Sequence, residues 1–246
     1  MYSRKDNFST VDRYFMRIAI NLAKNKLGFT GSNPSVGCVV VKKNKILSFA
    51  ATNYKGRPHA EFLALNKIPN AAGSTVYISL EPCVHFGKTP PCTNLLIKKK
   101  IRKVVYSSDD FDVRTKKKSK KILQKKKIIV KSGLLIRQTS KIYNSYRLTR
   151  KKNIPYIIGK LACTSNFKIF NIKKQITNEH SKNVNHILRS KNQAILTTYK
   201  TANIDNPKLD CRIEGMSKFS PIKIIIDKNL KIKKDLYLLK NKPKVI

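Results

Sequence analysis

The sequence predicts an α/β protein in two domains, and three observations predict it. Segments with apolar residues at helical spacing alternate with short β-branched apolar runs. A polar, basic, proline-ended stretch from Tyr143 to Pro155 interrupts that alternation. Beyond it the alternation begins again as a second unit.

In order along the chain, Phe15, Ile18, Ala19, Leu22 and Ala23 repeat at helical spacing between Asp12 and about Lys26, with Ser9 or Thr10 available as the cap. Val36 to Val41 is a nearly continuous apolar run suited to a buried strand, and "KKNK" turns it into a second strand ending near Ala51. "HAEFLALNKI" returns to helical spacing, and "TVYISL" is a third strand. "CTNLLIKKK" reads as a short helix and "KVVYSS" as a strand, followed by a Lys-rich helix and the strand "KIIVKSG". Helices alternating with strands imply a mixed sheet with helices on both faces. In the second unit the expected elements are a strand "YIIGKLAC", a helix from about Asn178 to Arg189, a strand "AILTT", a polar loop "NIDNPKLDCR" and a strand "IKIIID". The boundaries expected are a first domain over 1–145, a linker over 146–154 and a second domain over 155–246. The second unit carries no G-x-G-x-x-G phosphate loop.

The chain has 246 residues with 53 Lys+Arg against 13 Asp+Glu, a formal charge of +40. Such a charge attracts any phosphorylated or nucleic-acid partner without choosing between them. The lysines are scattered along the whole chain, so the charge reads as composition more than as a built nucleic-acid surface. No run approaches the roughly 20 apolar residues of a membrane span, and the N-terminus lacks the apolar core of a signal peptide, so a soluble cytoplasmic protein with no membrane partner is expected. Five dispersed cysteines (Cys38, Cys83, Cys92, Cys163 and Cys211) favour reduced thiols or metal ligation over a disulfide scaffold.

The chemistry concentrates in two stretches. His59 and Glu61 form H-A-E at the mouth of a helix, and Pro82-Cys83 and Pro91-Cys92 follow with eight residues between the cysteines. Singly, a histidine is usually a surface or core residue and cysteines beside prolines are usually packing. Jointly, and in this order, they match a zinc-dependent amino-hydrolase. Zinc in a catalytic site takes three protein ligands and keeps one position for water, and His59, Cys83 and Cys92 supply three. Both cysteines are expected at helix starts, where unpaired N–H groups stabilise a thiolate. Glu61 is then not a ligand but the group that moves protons between water and the departing amine. Deaminases of bases in nucleic acids usually carry Pro-Cys-x-x-Cys. The wider gap here holds His85, Gly87 and Lys88, as though substrate were read from it.

"SNPSVGCVVV", "HAEFLAL", "YISLEPCVHFGKTPPC" and "VVYSSDD" together resemble the deaminase half of the bifunctional riboflavin-biosynthesis deaminase/reductase family, over most of residues 12 to 135. The resemblance implies a cytidine-deaminase-like α/β/α sandwich and removal of the 2-amino group of a small phosphorylated pyrimidine, 2,5-diamino-6-(5-phosphoribosylamino)pyrimidin-4-one. It implies that Asn33, His85, Lys88 and Asp110 hold that substrate, with Lys88 the partner of its phosphate. Asp112 stands where the family's Asp-Pro-Asn-Pro has an amide, and falls among the expected substrate contacts.

The second unit resembles the family's reductase half, implying a partial dihydrofolate-reductase-like α/β domain. "PYIIGKLACTSNFKI" stands where the family has Lys-x-Ala-x-Ser-Leu-Asp-Gly, with Asn166 and Phe167 replacing Asp-Gly. In "HILRSKNQAILTTYKTANIDNPKLDCR", Arg189, Asp205, Pro207, Leu209 and Arg212 match. Arg189 and Arg212, with Leu209, would hold the substrate and its phosphate, while Thr201 and Asp205 would contact NADPH. The chain stops at Ile246 in what reads as mid-domain, so an incomplete reductase is expected, without hydride transfer by this chain alone. The family tends to associate through this half, which implies a homo-oligomer. Two other readings stay open: a nucleoside or RNA cytosine/adenine deaminase, and a basic RNA-binding protein with a structural zinc, motivated by the Lys-rich run from Lys116 to Lys127.

Overall fold

The structure is a computed structural model that describes residues 8–169, 176–240 and 245–246. The chain divides into two compact units, Met1–Ile157 and Ile158–Ile246.

Unit 1 opens with helix α1, Thr10–Asn25, whose start is fixed by a reciprocal cap. The Ser9 hydroxyl accepts the Asp12 N–H at 3.0 Å while the Asp12 carboxylate accepts the Ser9 N–H at 3.2 Å. Its apolar stripe, Phe15, Met16, Ala19, Ile20 and Ala23, is buried. Strands β1 (Gly37–Lys42) and β2 (Lys45–Ala51) form a hairpin, with a register irregularity between Val40 and Val41. Helix α2 is Ala60–Asn66, strand β3 Thr75–Leu80, helix α3 Cys92–Lys98, strand β4 Lys103–Ser108, helix α4 Ser119–Lys125, strand β5 Ile129–Ser132 and helix α5 Ile136–Ile142. The sheet order is β2-β1-β3-β4-β5. β1 runs antiparallel to β2 and β3, whereas β3, β4 and β5 are parallel. α1 and α5 touch each other and cover one face; α2, α3 and α4 form a chain of contacts over the other. The sheet is therefore the middle of three layers, and its central strands are buried almost end to end because both of their faces are covered. α1 lies so close to β1 that a Cβ on Gly37 would come 1.9 Å from the Ala19 carbonyl oxygen.

Two expectations for residues 146–163 are corrected. The stretch expected as a linker over 146–154 is largely helix α6, Asn144–Lys152, which belongs to unit 1. Its polar composition hid the helix because α6 buries no whole residue. Tyr146 anchors it instead, packing edge-on against Phe111 with ring centroids 6.2 Å apart. Asn153, left-handed at φ 53°, ends it just before Ile154-Pro155. The strand expected over 156–163 does not form either. A strand needs a partner, and among the described residues of unit 2 the ladder joins only β6, β7 and a bridge to Val245, while Ile157 and Leu161 stay exposed.

In unit 2, helix α7 (Glu179–Lys191) is capped by Asn178, whose side chain accepts the Ser181 N–H at 2.9 Å. Strand β6 (Ala194–Thr198) leads directly into helix α8 (Tyr199–Asp205), so the expected loop from Asn203 begins inside a helix. Strand β7 (Ile222–Ile226) pairs parallel to β6, and Ile246 continues the ladder on its other side through hydrogen bonds to Lys223 and Ile225. Ala202, Leu236 and Leu238 form a small buried cluster.

Candidate active site

β3 and β4 are neighbouring parallel strands that end together at Leu80 and Ser108, and the Glu81 N–H extends the ladder by bonding the Ser108 carbonyl at 2.8 Å. The loops leaving these carboxyl ends, with the start of α2, form a pocket of about 240 Å³ within unit 1. That is smaller than the roughly 300–1,000 Å³ typical of drug-sized ligand sites, and suits a single substituted ring.

His59 is the residue before α2, with extended dihedrals (φ −68°, ψ 157°). A two-residue step along a helix would put Glu61 on the opposite side. Because His59 is not yet helical, both side chains line the same pocket. His59 Nδ1 lies 3.3 Å from Cys92 Sγ and 3.7 Å from Cys83 Sγ, and the three ligand atoms all lie within 4.8 Å of one another. A tetrahedral zinc with ordinary Zn–S and Zn–N bonds sets nitrogen and sulfur about 3.6 Å apart, so this donor set fits that ion.

Cys92 is the first residue of α3, after Pro91. Cys83, expected at a helix start, lies instead in the irregular segment after β3, because Pro82 and the turns that follow continue the chain away from the strand. It still meets a helix start through space: the Cys92 N–H donates to Cys83 Sγ at 3.2 Å, and the Thr93 N–H and hydroxyl both donate to the Cys83 carbonyl at 3.2 Å. A hydrogen bond from the Cys92 thiol, then one from His59, pushes the Cys83 thiol well below the ordinary range. The same bond, with burial, pushes Cys92 up. His59 is raised, first by its hydrogen bond to Cys83. Glu61 is buried, and desolvation lifts its carboxyl above the usual range.

The remaining expected residues of unit 1 also line the pocket. Asn33 donates through Nδ2 to the Gly56 carbonyl at 3.0 Å, a contact that needs the left-handed φ of 85° at Gly56, where a Cβ would strike Asn33 at 2.5 Å. His85 Nδ1 is 3.1 Å from Thr115 Oγ1. Lys88 is exposed at the pocket. Asp110 is buried, and its Oδ1 accepts the Asp112 N–H at 3.0 Å and the Tyr146 hydroxyl at 3.1 Å. Desolvation raises its carboxyl. Asp112 is buried too, but turned to Arg114, whose Nε donates to Oδ1 at 2.9 Å and whose terminal nitrogen donates to Oδ2. Arg114 holds the Asp112 carboxyl down to about 2.

Several pocket residues were not anticipated. Arg57, Arg114 and Arg150 join Lys88 as a cationic lining, and Tyr146 enters from α6. Glu81 is 3 % exposed and receives four donors: the N–H groups of Asp110 (3.1 Å), Lys117 (2.8 Å) and Ser119 (3.1 Å), and the Ser119 hydroxyl (2.8 Å). This one carboxylate ties the 110–119 loop to the end of β3. The signal available for it was its place beside Pro82-Cys83; for Tyr146 and Arg150, it was their four-residue spacing in a segment otherwise read as a linker.

In unit 2, Arg189 and Arg212 converge on Asp210. Arg189 donates to its carbonyl at 3.1 Å and Arg212 to its carboxylate at 2.9 Å. Burial, then the charge of Arg212, lowers Arg189. Leu209 is buried beside them in sequence, with φ 53°. Thr201 and Asp205 lie one helical turn apart on α8, and the Thr201 N–H is capped by Thr198 Oγ1 at 3.4 Å.

Residues 9–108 match the cytidine and deoxycytidylate deaminase zinc-binding region, and residues 171–246 match the RibD C-terminal domain. Among curated proteins, the riboflavin biosynthesis protein RibD of Aquifex aeolicus is 35% identical over 226 residues, covering 90% of this chain and 63% of its own length. The Bacillus amyloliquefaciens protein of the same name is 34% identical, with 61% of its length covered. The chain thus spans a little under two thirds of these relatives. Among solved structures, a diaminohydroxyphosphoribosylaminopyrimidine deaminase/5-amino-6-(5-phosphoribosylamino)uracil reductase from Thermotoga maritima superposes with a TM-score of 0.86 at 32% identity, covering 96% of this chain and 68% of that one. Acinetobacter baumannii RibD, form 1, superposes with a TM-score of 0.81 at 29% identity, with the same coverage.

Proposed function

The chain belongs to the RibD family of riboflavin-biosynthesis proteins, and from that premise we propose that unit 1 is a zinc-dependent hydrolytic deaminase of 2,5-diamino-6-(5-phosphoribosylamino)pyrimidin-4-one. The observation that carries the proposal is the convergence of His59 Nδ1, Cys83 Sγ and Cys92 Sγ within 4.8 Å, beside a buried Glu61 and a cation-lined pocket.

His59, Cys83 and Cys92 would hold the metal. Zinc bound there supplies the Lewis acidity that makes water nucleophilic near neutral pH. The rest of the chemistry belongs to the chain's own side chains. Glu61, with its carboxyl lifted by burial, takes a proton on a carboxylate oxygen and returns it to the departing amine nitrogen. Asn33, His85 and Asp110 orient the ring, and Asp112 acts through Arg114 rather than as a free carboxylate. Lys88, assisted by Arg57 and Arg150, draws the ribose phosphate to the mouth of the pocket.

The chemistry of the donor set favours this over a structural zinc. Structural sites generally use four protein ligands, and among the described residues the cluster has three. Ammonia release from the diaminopyrimidine phosphate, compared with release from cytidine and from single-stranded RNA, tests the substrate. Release from the latter two alone would transfer the assignment to a nucleoside or RNA deaminase.

For unit 2 we infer binding of the deaminated product's phosphate by Arg189 and Arg212, with Leu209 against the substrate. NADPH would be met by Thr201 and Asp205. α8 leaves the carboxyl end of β6, the place where αβ units commonly bind phosphates, which suits a dinucleotide. Oxidation of NADPH in the presence of the deaminated product is the matching assay. All five cysteines are free and no helix among the described residues is long and apolar enough to cross a membrane, which supports a cytoplasmic site of action.

A further inference from the structure

We propose that Thr115 is a positioning residue for His85: its hydroxyl donates to His85 Nδ1 and so holds the neutral ring with its proton on Nε2, as a donor for an acceptor atom of the bound substrate. Thr115 is fully buried, and among the described residues the hydrogen-bond partner of its Oγ1 is His85 Nδ1, at 3.1 Å. A buried hydroxyl proton needs an acceptor. If Nδ1 carried the ring proton, it would donate to Oγ1 and strand the hydroxyl proton. With Nδ1 bare, that proton is satisfied. A neutral imidazole has one donor and one acceptor nitrogen, so using Nδ1 as the acceptor makes Nε2 the donor. Nε2 is on the ring edge away from Thr115, and His85 lines the pocket together with Asn33 and Asp110.

The hydroxyl has a stiff frame. The Thr115 N–H bonds the Asp112 carbonyl at 3.0 Å, and the Thr115 carbonyl accepts the Lys118 N–H at 2.9 Å. On the far side the Glu81 carboxylate grips Lys117 and Ser119, so the loop cannot slide past His85 without breaking several buried hydrogen bonds. A fixed donor in the pocket also discriminates. It donates to a ring carbonyl or a phosphate oxygen and disfavours an amino group at the same place, because two donors facing each other leave both unpaired. The substrate half of this inference rests on the deaminase reading; the tautomer half does not.

The test uses the full chain loaded with zinc and labelled with 15N-histidine, observed by two-bond proton–nitrogen correlations at about pH 8, above the usual imidazole range. The chain has four histidines, and the signal lost in His85→Asn identifies His85. The wild type should show the Nε2–H form, Thr115→Val a mixture or the Nδ1–H form, and Thr115→Ser the wild-type form again. With the diaminopyrimidine phosphate, Thr115→Val should raise KM about fivefold with kcat changed less than about twofold, the size of one lost hydrogen bond. An Nδ1–H ring in the wild type, or a wild-type tautomer in folded Thr115→Val, overturns the proposal. Should Thr115→Val fail to fold, wild type and Thr115→Ser decide it, and an Nδ1–H ring in either overturns it. Absence of ammonia release by the wild type would sink the deaminase reading while leaving the tautomer result standing.

Discussion

His59 Nδ1 and Cys92 Sγ lie 3.3 Å apart although 33 positions separate them, one at the mouth of α2 and the other at the first position of α3. Two helix starts on the same face of the sheet are thereby aimed at one point. The proximity has direct consequences for variants.

Glu61→Gln keeps all three metal donors and removes only the group that moves protons. Zinc content should stay near one per chain while ammonia release falls by about 10²–10⁴-fold. His59→Ala removes a donor, and both zinc and activity should be lost. Metal analysis beside the ammonia assay separates the two, and a metal-free active protein would sink the mechanism.

Chelation should lower the unfolding temperature of unit 1, since a ligand that binds the folded site stabilises it by an amount that grows with the logarithm of its concentration over Kd. Added zinc should restore the temperature in the wild type and not in Cys83→Ala. Calorimetry with and without a chelator measures this, and an unchanged transition would count against a metal held by these thiolates.

Glu81→Gln replaces a carboxylate that accepts two donors on each oxygen by an amide whose oxygen can still accept two while its nitrogen faces the other two. At a residue 3 % exposed this should cost about 2–3 kcal/mol of stability, seen as a lower denaturant midpoint. KM should rise as the 110–119 loop loosens, with zinc content unchanged.

The Asp112–Arg114 pair sets an acid-side pH dependence. The folded Asp112 pKa is depressed to about 2, below the roughly 3.9 of an unfolded aspartate. Its contribution is therefore fully present above about pH 4 and is lost as pH falls toward 2. Acid titrations of wild type and Asp112→Asn followed by circular dichroism should differ in slope only below about pH 4. Equal stability of the two at neutral pH, or a gap between them that changes with pH well above 4, would contradict the assignment.

Lys88→Ala should raise KM for the phosphorylated substrate by about tenfold and weaken the dependence of kcat/KM on ionic strength, because a charge-assisted contact at the exposed mouth is lost. Steady-state kinetics at two salt concentrations read both effects.

Much of unit 1 was legible because its signals are local. The Ser9–Asp12 cap, the apolar spacing of α1 and the β-branched runs of β1, β3 and β4 each lie within a few residues, so periodicity locates them. Helix α6 was read as a linker because it carries no buried stripe, and its reason to fold is a partner elsewhere: Tyr146 meets Phe111 and Asp110. The unformed strand over 156–163 is the converse, an apolar run with strand propensity and no partner among the described residues.

By itself, then, the sequence determined the α/β class, the starts of α1, α2 and α3 and the donor types at His59, Cys83 and Cys92, because backbone propensity, capping and metal preference are properties of residues and their spacing. Only the tertiary structure decided that Cys83 meets a helix N–H from outside that helix, that Glu81 clasps the 110–119 loop, and that Thr115 faces His85. Those facts depend on which loops the parallel ends of β3 and β4 bring side by side. Contacts across such chain separations follow from strand order, which no local pattern encodes.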